Sequence, residues 1–149
     1  MKLDLNSVLE MWKEDCKIEE FKLDETSRHT PSLHAKYLEI RSLTKLKMQE
    51  SELEQKALLK NKWLYYNGKM DQETIQSLGW DFDPFDGLKV LKGDMDYYYD
   101  ADTDIQKSEA KIVYYKTMLD TLDEIINNLK WRHSTIKNMI DWRRFEAGG

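Results

Sequence analysis

Apolar positions along the chain fall into two long helical stripes, separated by a segment in which that period is lost. Between Ser32 and Tyr66 there is no glycine or proline, and Leu33, Tyr37, Ile40, Leu43, Leu46, Leu53, Ala57 and Leu64 lie on one slowly drifting stripe. Thr30-Pro31 reads as a cap followed by proline at the first helical position, and Asn67-Gly68 ends the run. The spacing predicts a helix over 31–66, roughly 50 Å long at 1.5 Å per residue. Further on, Ile112, Tyr115, Leu119, Leu122, Ile126, Leu129, His133, Ile136 and Ile140 step by three and four without a break. That predicts a helix over 103–145, started by Asp102 or Thr103, with a seam made to meet another helix. The partner can belong to the same chain or to a neighbour, and the pattern does not choose between them.

The ends and the middle are less regular. Val8, Leu9, Trp12 and Cys16 repeat at helical spacing behind Asn6 or Ser7 as cap, which predicts a short helix over 6–17. Residues 18–29 are polar and carry no clear period. Between Lys69 and Ala101 stand Gly79, Pro84, Gly87 and Gly93, with Trp80, Phe82, Phe85, Tyr97, Tyr98 and Tyr99. So many aromatics are unlike a disordered composition, so this segment is expected to fold as an irregular loop on the helices. Asp86-Gly87 fits a turn, and Leu88–Leu91 fits a short strand. The fold class expected is mainly all-α: one helical domain over 1–149, made of two long helices, a short N-terminal helix and an acidic, aromatic connection.

Composition sharpens this picture. Of 149 residues, 40 % are apolar and 34 % charged, with a mean hydropathy of −0.76. A compact globule of this size buries roughly 70 % of its unfolded surface, which so charged a chain does poorly alone. Long helices or an assembly suit it better. No apolar run is long enough to span a membrane, and the start, MKLDLNSVLEMWKED, lacks the apolar core of a signal peptide. One cysteine, Cys16, allows no internal disulfide, and its spacing places it on an apolar face. Three histidines form no metal-binding pair. The expectation is a soluble, intracellular protein with no cofactor or metal.

The net charge of −5 hides a division. Residues 30–66 carry a net +3, whereas 67–101 carry −5. An acidic protein therefore has one basic segment, and anionic partners stay open. Catalysis finds little support. Cys16 has no evident histidine partner, and His133 at a seam position suits register or ring stacking. Asp94, Asp96, Asp100, Asp102 and Asp104 lack the spacing and terminal Glu of a calcium loop, and no phosphate-cradling glycine loop occurs.

The stretch QKALLKNKWLYYNGK is the most informative. Lys56, Lys60 and Lys62 precede Trp63, Tyr65 and Tyr66, with Lys69 just beyond. Cations that follow phosphates beside rings that stack on bases are what single-stranded nucleic acid requires. The same residues also suit a helix C-terminus packed into a core.

At this point a family resemblance emerges. Asp15, Ile18, Glu19, Lys22 and Leu23 fit an N-terminal D-x-x-I-[DE]-x-x-K-L, and Leu33 to Gly68 is similar to a block ending A-L-K-x-[RK]-…-Y-Y-x-G. At the tail, Ile136, Lys137, Asp141, Arg143 and Phe145-Glu146-Ala147-Gly148 match I-K-x-x-x-D-x-R-x-F-E-A-G. The chain resembles the UvsY-type recombination mediators of T-even-like tailed bacteriophages. The resemblance implies a non-enzymatic protein of the host-cell cytoplasm that forms a hexameric or heptameric ring and binds single-stranded DNA. It also implies that the protein helps displace the phage single-strand-binding protein and load a RecA-like, UvsX-type recombinase. The family's DNA-contacting basic pair falls on Lys60 and Lys62, and its tyrosines on Tyr65 and Tyr66; Lys62 stands where Arg is usual, without Arg's bidentate reach to phosphate. Assembly through the C-terminal helix then rests on Ile112, Tyr115, Leu119, Leu122, Ile126, Leu129, Ile136 and Ile140. A coiled-coil scaffold that never touches nucleic acid, and an acidic mimic that blocks a host protein, remain as other readings.

Overall fold

The computed structural model describes residues 3–88 and 90–148. Helix α1 spans Leu5–Asp15, α2 Leu23–Tyr66, α3 Gln72–Leu78, α4 Met95–Ala101 and α5 Thr103–Glu146, with a 3-10 turn at Lys92–Asp94. No strand forms among the described residues, so the fold is all-α. The strand expected at Leu88–Leu91 includes Lys89, which lies outside the described residues. None of the described helices is long and apolar enough to cross a membrane.

Local chemistry explains where the helices begin. Asp4, not Asn6 or Ser7, caps α1, because its carboxylate accepts the Ser7 N–H at 2.7 Å. Helix α2 starts at Leu23, well before the expected Thr30-Pro31 boundary. Asp24 and Glu25 in its first turn favour the helix dipole, and the Thr26 and Thr30 hydroxyls bond back to the Lys22 and Thr26 carbonyls. Pro31 sits inside the helix on an exposed position, where water can serve the Ser27 carbonyl that loses its usual donor. Asp102 does cap α5, since its Oδ1 accepts the N–H groups of Asp104 and Ile105 at 2.9 and 3.0 Å.

The segment expected to be one irregular loop holds two short helices. Asp71 caps α3 through the Thr74 N–H, and Gly79 ends it in the left-handed conformation, φ +71°. Between α3 and α4 the Asp83 carboxylate accepts the Phe85 and Gly87 N–H groups, which draws the acidic turn tight.

The residues form two compact units, one built from those up to Leu46 together with those from Tyr115 onward, the other from Lys47–Tyr114. In the first, Val8, Leu33, Tyr37 and Ile40 pack with Met118, Leu122, Ile125, Ile126 and Leu129 of α5. Trp12 meets the Tyr37 ring edge-on at 5.6 Å, and the Tyr37 hydroxyl donates to Asp15, which also pairs with Lys36 at 2.6 Å. Arg132 donates to the Asp15 and Lys17 carbonyls, closing the end of α1.

This core corrects the seam. Leu119, Leu122, Ile126, Leu129 and Ile136 are buried within this chain, whereas Ile112 and Tyr115 are half-buried and Ile140 is more exposed. A three-four step shows which side of a helix is apolar but not which helix covers it, and here α1 and α2 cover it. His133 is likewise exposed, stacked on Trp131 at 6.5 Å. Cys16 is exposed at the end of α1 rather than buried on its apolar face.

Leu122 has no exposed surface, so Leu122→Ala should cost about 2–5 kcal/mol in urea unfolding. Leu122→Asp should abolish the helical circular dichroism of this unit instead of yielding folded monomers.

Candidate nucleic-acid interface

The end of α2, in the second unit, divides the basic-aromatic stretch into two sides. A turn of 100° per residue puts Lys56, Lys60 and Trp63, at i, i+4 and i+7, on one stripe. Lys62 and Tyr65 point well away from it, and Tyr66, three residues past Trp63, lies at its edge. The first set is exposed, and the second is packed inward.

Lys62 is 4 % exposed. Its ammonium pairs with Asp102 and Asp104, both at 2.9 Å, and lies 3.8 Å from the centre of the Trp80 ring. Asp102 Oδ2 also accepts the Tyr66 hydroxyl at 2.6 Å, while its Oδ1 caps α5, so four donors converge on one carboxylate. The Tyr65 hydroxyl donates to the Asp81 carbonyl, and its ring lies 5.0 Å from Trp80. Tyr66 is ringed by Phe85, Tyr98 and Tyr99 at 5.9, 6.4 and 5.4 Å.

Burial alone would raise the pKa of Asp102, but hydrogen bonds from Tyr66, the Ile105 N–H and Lys62 outweigh it and hold the carboxyl below its usual 3.8. Burial first, then the bond to Asp102, pushes the Tyr66 phenol far above its ordinary value, so it stays a donor. Burial and the charges of Asp81 and Asp102 raise Tyr65 in the same direction.

The other side is open. Lys56 and Lys60 are exposed, and neither forms an ion pair with a carboxylate among the described residues. Helix α2 then ends in two nested turns: the Gly68 N–H donates to the Tyr65 carbonyl and the Lys69 N–H to that of Leu64. Gly68 takes φ +68°, which a side chain would strain. The reversal brings the Lys69 ammonium 4.5 Å from the centre of the Trp63 ring.

Of the six positions expected to bind DNA, Lys56, Lys60 and Lys69 face outward. Lys62, Tyr65 and Tyr66, expected beside them, are instead turned inward, with their polar atoms taken by Asp102, Asp104 and Asp81. The resemblance pointed to the pair Lys60 and Lys62, yet residues two apart on a helix face different ways. Trp63 was not among the expected site residues, although its three- and seven-residue spacing from Lys60 and Lys56 marks the exposed stripe.

Asp102 binds protons less readily folded than unfolded, so the stability it brings is present above the unfolded carboxyl value and is lost as pH falls through the folded one. Asp102→Asn should lower stability at neutral pH by roughly 1–3 kcal/mol and flatten the fall in melting temperature below about pH 4. Thermal melts from pH 3 to 7 check both.

Comparison with known proteins agrees with this architecture. Residues 11–149 match the family model described as "Recombination, repair and ssDNA binding protein UvsY". The chain is 29 % identical over 144 residues to the recombination protein uvsY of Enterobacteria phage T4, covering 97 % of this chain and 98 % of that one. A crystal structure of the bacteriophage T4 recombination mediator protein UvsY superposes with a TM-score of 0.81 at 28 % identity, covering 98 % of this chain and 99 % of that one. A second lattice form gives 0.78 at 28 % identity, over 94 % and 98 %. Match over nearly the whole chain, in sequence and in fold, places this protein in the UvsY family of recombination, repair and single-stranded-DNA-binding proteins.

Proposed function

We propose that this chain is a recombination mediator that binds single-stranded DNA as an oligomer, in the cytoplasm of the host cell. It helps displace the phage single-strand-binding protein and load a UvsX-type recombinase. The observation that carries the reading is the stripe of Lys56 and Lys60, exposed and unpaired by carboxylates among the described residues, with Lys69 just beyond the turn that ends α2. Ammonium groups so placed follow a phosphate backbone without reading sequence. One such site holds a strand weakly. Repeated around an oligomer, it engages one strand several times, and each further engagement is intramolecular.

The buried seam leaves assembly to other apolar groups. Trp131, Trp142 and Phe145 on α5 remain exposed, which supports self-association through the outward side of that helix. A coiled-coil scaffold that does not bind nucleic acid is the second reading, favoured by the burial of Lys62, Tyr65 and Tyr66. Salt separates the two, because only binding to phosphates releases counterions.

Lys56→Gln combined with Lys60→Gln should weaken binding to an unstructured oligonucleotide roughly tenfold near 0.1 M salt. The slope of log affinity against log salt should shrink by about 0.7 for each phosphate that the variant leaves without a cation. Fluorescence anisotropy across a salt series measures both, with sedimentation confirming an unchanged oligomer. Unaltered affinity and slope would reject this stripe.

A further inference from the structure

We infer that Trp63 is the base-stacking platform of this chain, with Lys69 as its companion cation; the inference rests on the single-stranded-DNA reading above. The two tyrosines that the motif offers for stacking are committed elsewhere. Tyr65 is 6 % exposed and bonded to Asp81, and Tyr66 is bonded to Asp102 inside a ring of aromatics. Trp63 is 46 % exposed, and it is the aromatic ring that follows Lys56 and Lys60 on their own stripe. A helix rise of 1.5 Å per residue puts Lys60 about 4.5 Å, and Lys56 about 10 Å, before it along the axis.

The surroundings hold the indole ready. The Trp63 carbonyl accepts the Asn67 N–H and also the Asn67 side-chain amide at 2.8 Å, which fixes the last turn of the helix. The left-handed Gly68 then returns the chain so that Lys69 lies over the ring. Large apolar side chains exposed singly are ordinary, but this one stands among three cations with no carboxylate partner among the described residues. Phosphates drawn to Lys60 and Lys69 bring their bases to the indole, and any base can stack there because every base has a π-face. Lys69 supplies the cation for the phosphate next to the stacked base. Binding is therefore sequence-tolerant and responds to the base as well as to the backbone.

The test compares an oligothymidylate with an abasic strand of the same length and charge, using the full-length oligomeric protein. Trp63→Ala should weaken oligothymidylate binding at least fivefold and leave both the abasic affinity and the salt slope unchanged. Trp63→Phe should keep most of the affinity while losing the part of the DNA-induced tryptophan quenching that belongs to Trp63, with circular dichroism confirming the fold of each variant. Lys60→Gln should weaken both strands alike. Loss on both strands with Trp63→Ala, or on neither, overturns the platform; a wild-type protein that binds neither strand overturns the DNA reading instead.

Discussion

One carboxylate organises the second unit. Asp102 takes the ammonium of Lys62, the phenol of Tyr66 and the first-turn N–H groups of α5, so the end of one long helix and the start of the other meet on two oxygens. Charges withdrawn from water cost several kcal/mol each, and attraction offsets that only when geometry is good and every donor and acceptor is used. Here each is used, with Asp104 as a second acceptor and the Trp80 face beneath the ammonium. Removing one member strands the others, which makes the arrangement specific as well as stable.

The first unit repeats the device in another register. Asp15 receives the Lys36 ammonium and the Tyr37 phenol, and its carboxyl too is held below the usual value because those bonds outweigh its burial. Arg132 completes the junction by donating to the carbonyls where α1 ends, though its Nε has no hydrogen-bond partner among the described residues. In both units a lysine, a tyrosine and an aspartate tie the end of one helix to another helix. Polar residues are thus used inside, and what the end of α2 leaves exposed is Lys56, Lys60, Trp63 and Lys69.

Part of the candidate site was legible in the chain itself. The concentration of lysine and aromatic residues over 55–69, and its likeness to the UvsY motif, located the region. Which of those residues face outward was not legible, because the decisive partners lie elsewhere along the chain, Trp80 and Asp81 in a segment that carries no period of its own and Asp102 and Asp104 at the start of α5. A lysine two residues from another on a helix must differ from it in surroundings, yet nothing local says which of the two is buried. Lys62 and Lys60 part ways on that account.

The sequence by itself determined the helical class, the two long helices, the stop at Gly68 and a cap at Asp102 or Thr103, because periodicity, glycine and short polar side chains act over one or two turns. It also marked the apolar side of α5. Only the tertiary structure decided that α1 and α2 cover this side, that α2 runs through Pro31 back to Leu23, and that Lys62, Tyr65 and Tyr66 turn inward while Trp63 remains in solvent. Burial depends on what arrives from elsewhere in the chain, and a local pattern carries no information about arrivals.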